Sequence, residues 1–102
     1  MSGGARLGVV ATRETAATEA VGLLAGALAR GWTCRCFLTD RGVRLLLDPS
    51  FRALLGIPNL RVDVCEHSWE RFGDGSVGPE GAMGGQYQNA ELAHTSARVV
   101  VL

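Results

Sequence analysis

Three cysteines carry most of the reactive chemistry this chain can offer, and Cys65 is the one placed where a thiol can be activated. It closes the apolar run Leu60-Arg-Val-Asp-Val-Cys and is followed at once by Glu66-His-Ser-Trp-Glu-Arg-Phe. That pattern predicts a strand giving way to a helix at the sulfur. The first turn of a helix presents unpaired N–H groups and a partial positive charge, and both favour thiolate over thiol. A thiolate so placed is a nucleophile or sulfur carrier that needs no metal and no cofactor. The alternative is a small buried residue at a strand end, since free cysteine is among the most buried residue types. His67 lies two residues further on, where it can stabilise the thiolate or exchange its proton. An exposed polar residue on a first helical turn explains it equally well. Glu66 can interact with the helix dipole at the same terminus, but its charge opposes ionisation of the neighbouring sulfur.

Other residues form a second rank. Cys34 and Cys36 make a C-x-C pair whose side chains share one face of a strand. No second C-x-C and no paired histidine accompanies them, so core packing is expected rather than a metal site. Asp40 follows the same strand and is expected at the carboxyl edge of the sheet beside Cys65, where ligands of open α/β sheets bind. A turn or cap role remains open for it. Gln86 and Asn89 begin the last helical pattern and could offer hydrogen bonds to an anion or a partner, or simply face solvent. Thr12 to Thr15 could hold a phosphate at a strand–helix turn, but the glycines of a dinucleotide fingerprint are missing. Trp69 and Phe72 fit one helix face, as core or as part of a protein interface.

The elements that must position these residues alternate between strand and helix. Leu7-Gly-Val-Val-Ala is apolar on both faces, as in a strand covered on both sides. Ala20, Val21, Leu24, Ala27 and Leu28 recur at helical spacing, with Thr12 or Thr15 expected as cap and Gly31 as stop. Thr33 to Leu38 reads as the second strand, and Asp40-Arg-Gly as a turn into a short helical Val43-Arg-Leu-Leu-Leu. Asp48-Pro-Ser-Phe starts another helical turn, closed by Leu55-Gly-Ile-Pro. In the third strand Leu60, Val62 and Val64 alternate with Arg61, Asp63 and Cys65, giving one apolar and one mixed face. Residues 73–85 hold six glycines and read as an irregular loop able to gate access. A helix from Gln86 to Ala97, with Tyr87, Ala90 and Ala97 on its inner side, leads to the strand Arg98-Val-Val-Val-Leu. This alternation predicts one α/β domain over 1–102, a mainly parallel sheet of four or five strands flanked by helices, and a flexible start over 1–5.

Composition narrows the function classes. With 102 residues and 47% hydrophobic content the chain has one small core. Ten arginines balance ten acidic residues, so no bulk field draws nucleic acid or an anionic membrane. Lysine is absent, which excludes Schiff-base and Walker-type lysine chemistry. No run reaches the roughly 18 apolar residues of a membrane span, and no secretory signal is evident. An odd number of cysteines favours free thiols, and a cytoplasmic location is expected.

Three segments taken together resemble the DsrE/DsrF-like sulfur-relay family. They are Ala29-Arg-Gly-Trp-Thr-Cys-Arg-Cys-Phe-Leu-Thr-Asp-Arg-Gly-Val-Arg-Leu-Leu-Leu, Arg61-Val-Asp-Val-Cys, and Gly84-Gly-Gln-Tyr-Gln-Asn-Ala-Glu-Leu-Ala-His-Thr-Ser-Ala-Arg-Val-Val-Val-Leu. The resemblance covers most of the chain from Leu7 onward. It implies a flavodoxin-like fold, assembly into an oligomer and, for members with the cysteine, transfer of persulfide sulfur between partner proteins. On that reading Cys65 is the persulfide acceptor, assisted by His67, with sulfur donor and acceptor proteins as partners and no cofactor. The glycine-rich loop lacks a second cysteine that would resolve a persulfide within the chain. A non-catalytic member, serving as a ligand-binding or structural subunit, is the alternative, and a nucleotide-binding module is a third.

Overall fold

The computed structural model describes residues 5–74, 83–84, 91–92, 94 and 96–102. The strands are β1 (Arg6–Ala11), β2 (Thr33–Leu38), β3 (Leu60–Cys65), β4 (Met83–Gly84) and β5 (Arg98–Val101), and the helices are α1 (Ala17–Ala29), α2 (Pro49–Arg52) and α3 (Glu66–Phe72). All strand pairs are parallel, in the order β4-β3-β2-β1-β5. The chain steps outward from β1 through β2 and β3 to β4, then returns to the far side of β1. The result is a flavodoxin-like α/β domain, a parallel sheet flanked by helices.

Strand periodicity sorts the side chains between two faces. Leu7, Val9 and Ala11 of β1, Cys34, Cys36 and Leu38 of β2, and Val64 of β3 share the main core with Leu24 of α1, Phe51 of α2 and Trp69 of α3. The opposite face carries Gly8, Val10, Arg35, Phe37, Asp63 and Cys65. There Val10, Phe37, Cys65 and Leu92 form a separate buried cluster. The two faces differ in kind: one is wholly apolar, while the other mixes apolar side chains with ion pairs.

Local signals explain the helix ends. Gly31, at φ +80°, follows α1 in the left-handed region that a Cβ disfavours. Asp48 caps α2, accepting the Phe51 N–H at 3.1 Å with Pro49 in the first turn. Such a cap contributes about 1 kcal/mol. Between β2 and α2, residues Asp40–Leu47 form a 3-10 helix, which takes in both the expected turn at Asp40 and the short helical run from Val43. Gly42 sets its path, because a Cβ there would lie 2.0 Å from the Ala11 carbonyl oxygen.

Three expectations change. Neither Thr12 nor Thr15 caps α1, which is entered through a 3-10 turn, Glu14–Ala16. Thr12 is engaged elsewhere: its N–H and hydroxyl both donate to the Leu102 carbonyl, at 2.8 and 2.7 Å. The glycine-rich segment is not wholly irregular, since Met83–Gly84 pairs with Val64 and Cys65 as β4. Parallel pairing supplies partners for main-chain groups at the end of β3. The last helix stops short of Ala97, which is exposed and donates its N–H to the Arg6 carbonyl at 3.0 Å. Glu91, Leu92 and His94 are helical, and Leu92 is the buried side chain among them. Tyr87, Ala90 and most of 73–85 lie outside the described residues, as do 1–4 of the expected flexible start. Ala5 accepts the Thr33 N–H at 3.0 Å.

Candidate functional site

Cys65 is the last residue of β3 and the cap residue of α3, so the predicted strand-to-helix junction falls on the sulfur. Its phase in the strand turns it to the mixed face, away from Cys34 and Cys36. The residue is 8% exposed. Burial pushes the thiol pKa up, but the Ser68 hydroxyl and N–H, the Thr39 hydroxyl and the His67 N–H outweigh it, and the net shift is downward. The neutral side chain makes no capping hydrogen bond. These donors therefore act by favouring the charged form.

The other two thiols behave in the opposite way. Burial raises the pKa of Cys34, and that of Cys36 is pushed up to about 12, by burial first and then by the charges of Asp63 and Cys34. Both sit in the main core, as small apolar side chains do. No group of three or more His, Cys, Asp or Glu side chains among the described residues could hold a metal.

Ser68 is the residue that sequence reasoning missed. It is buried one helical turn beyond Cys65, and its Oγ accepts the Asp40 N–H at 2.9 Å. Thr39 Oγ1 lies 3.4 Å from the same oxygen. Accepting the Asp40 N–H leaves the serine its own proton to donate, to the sulfur or to Thr39 Oγ1. The signal was present in the spacing, because residues three apart on a first helical turn share a face. Thr39 was hidden because it contributes only when the ends of β2 and β3 come side by side.

Asp40 reaches the carboxyl edge as expected, but it meets the site through its main chain. Its backbone is left-handed at φ 51°, a conformation that aspartate tolerates better than most residues. That turn aims its N–H at Ser68. His67 has an exposed side chain, and it is its main-chain N–H, not the imidazole, that acts on the sulfur. Glu66 is exposed in the first turn of α3. Gln86 and Asn89 lie outside the described residues. Trp69 belongs to the main core, whereas Phe72 is half-buried between Arg41 and Arg71, each 4.9 Å from its ring centre.

An ion-pair network lies on the same sheet face, toward the amino end of the strands. Arg35 donates to Glu91 at 2.5 Å and to Asp63 at 3.2 Å, and Arg61 stands 3.2 Å from Asp63. Burial lowers the Arg35 pKa, but the hydrogen bonds and charges of Glu91 and Asp63 outweigh that effect and hold it up.

The arrangement can hold a thiolate among neutral donors at the carboxyl edge of a parallel sheet. Thr12, the first candidate for binding a phosphate, has its N–H and hydroxyl committed to Leu102. No helix among the described residues is long and apolar enough to cross a membrane. No protein-family model, curated protein or solved structure matches the chain.

Proposed function

We propose that this protein is a DsrE-like cytoplasmic sulfur carrier, working as an oligomer, whose Cys65 accepts sulfane sulfur and passes it to a partner protein. The observation that carries this reading is the contrast among the three thiols. Only Cys65 leaves the main core, lies at the sheet's carboxyl edge and is surrounded by groups that favour its charged form.

In the loading step the Cys65 thiolate attacks the terminal sulfur of a donor persulfide. A new S–S bond forms on Cys65, the donor's S–S bond breaks, and the donor leaves as a thiolate. In the transfer step an acceptor thiolate attacks the outer sulfur and Cys65 departs as the thiolate. No electrons are gained or lost overall. Ser68, Thr39 and the His67 N–H favour Cys65 both as nucleophile and as leaving group, because each role places negative charge on the same sulfur.

The near-burial of Cys65 favours a second reading, a non-catalytic subunit in which the thiol is structural. Intact mass measured after incubation with a persulfide donor separates the two. A reducible gain of one sulfur atom, absent in Cys65→Ser, is expected for a carrier. A folded wild-type protein that gains nothing would select the structural subunit.

A further inference from the structure

Asp40 is the only non-glycine among the described residues with a positive φ, at 51°. A Cβ disfavours that left-handed region, so the surroundings must hold the turn there, and such backbone strain gathers at functional sites. The contacts that hold it come from the main chain and the core. Thr39 is extended, donates its N–H to the Ala11 carbonyl at 3.0 Å and accepts the Gly42 N–H at 2.9 Å. Gly42 lies against the same Ala11 carbonyl, and Val43 is sealed in the main core. The chain is therefore fixed on both sides of Asp40.

What the strained turn delivers is one N–H. The Thr39 and Gly42 N–H groups bond to β1 and within the turn, whereas the Asp40 N–H crosses to another element and donates to Ser68 Oγ at 2.9 Å. Ser68 is equally fixed, being buried on α3 beside Trp69, which anchors that helix in the core. The Asp40 side chain is exposed, so it is the main chain that reaches the site. A hydroxyl that accepts this N–H turns a lone pair to the donor and its own proton away from it. Two acceptors lie within reach of that proton, the Cys65 sulfur one helical turn back and Thr39 Oγ1 at 3.4 Å. A charged sulfur is the stronger of the two.

We propose that the left-handed turn at Asp40 is a positioning device for Cys65: it presents the Asp40 N–H to Ser68 Oγ and so keeps the serine proton directed at the sulfur when that sulfur is charged. Asp40 acts through Ser68 and touches no reacting atom, which makes it a positioning residue. The inference rests on Cys65 being the reacting thiol, and it concerns what holds Ser68 in place rather than the sulfur chemistry.

The test compares Asp40→Gly, which adopts the left-handed turn without strain, with Asp40→Val, whose branched Cβ resists it. Both lack the carboxylate, so its charge cancels between them. The rate of Cys65 alkylation by iodoacetamide is measured against pH by peptide mass mapping, with each variant also made in Ser68→Ala. Asp40→Val should react about three- to tenfold more slowly than Asp40→Gly near neutrality, as for the loss of one hydrogen bond, and equally fast on the alkaline plateau. In Ser68→Ala the two should be indistinguishable. If Asp40→Val does not fold, Asp40→Ala takes its place, because its Cβ disfavours the same region at smaller cost. Equal pH profiles for the two variants with Ser68 present would overturn the device and leave the turn a matter of stability alone. A difference that survives undiminished in Ser68→Ala would overturn it as well. Persulfide loading of wild type alongside equal profiles removes the positioning turn and leaves the carrier. A shift in the valine variant without persulfide loading of wild type removes the carrier and leaves the turn.

Discussion

Alkaline pH should unfold this protein through Cys36, and the size of the effect follows from its burial. The thiol pKa rises from the ordinary 9.0 to about 12 in the folded state. Above pH 9 the unfolded chain releases this proton while the native chain keeps it, so stability falls as pH rises through that window. At about pH 10.5 the loss is about 2 kcal/mol, and by about pH 12 it approaches about 4 kcal/mol. Against a total of about 5–15 kcal/mol for a domain, that is a large fraction. The chain suits this experiment because it has no lysine, and arginine does not titrate in the window. Cys65 contributes with the opposite sign. Its lowered pKa adds stability that is complete only above pH 9 and is lost as pH falls through the folded-state value, so between pH 8 and pH 9 it opposes the Cys36 effect, equally in wild type and in Cys36→Ala. Urea midpoints at pH 8 and pH 10.5 should therefore separate in wild type and draw together in Cys36→Ala. That variant also loses about 1 kcal/mol at both pH values from the atom removed. Cys34, also raised by burial, leaves a residual slope. Tyr87→Phe controls for the phenol. If Cys36→Ala keeps the full wild-type separation, the assignment of Cys36 to a sealed core is wrong.

Two more substitutions probe the elements around the site. Ser68→Ala should move the pH midpoint of Cys65 alkylation upward and slow the reaction several-fold near neutrality, while Ser68→Thr restores part of the rate. An unchanged midpoint in Ser68→Ala would mean that this hydroxyl does not act on the sulfur. Gly42→Ala should cost about 3 kcal/mol in chemical denaturation, because the added methyl meets the Ala11 carbonyl and the 3-10 helix must shift. A loss below about 0.5 kcal/mol would show that this segment yields freely.

What could be read from the sequence divides along physical lines. The alternation of Leu60, Val62 and Val64 with Arg61, Asp63 and Cys65 located both the strand and the sulfur, because a period of two is a local property. Asp48-Pro and Gly31 were legible for the same reason, each acting within a few residues of itself. Arg35 was not legible. It interrupts an otherwise apolar strand, and its charge makes sense only once Asp63 and Glu91, 28 and 56 residues away, are folded beside it. Thr12 reads locally as a cap and is diverted by Leu102, 90 residues on. The two-residue β4 has no pattern of its own and exists only as a partner for the end of β3.

The same division bears on how a nearly buried thiol can still react. The groups that favour the thiolate belong to parts of the molecule anchored in or beside the main core. Thr39 and Asp40 follow β2, and His67 and Ser68 lie on α3, which Trp69 fixes. The ionisation of Cys65 is therefore set by groups that the core holds in place, so the site needs no rearrangement to favour the thiolate.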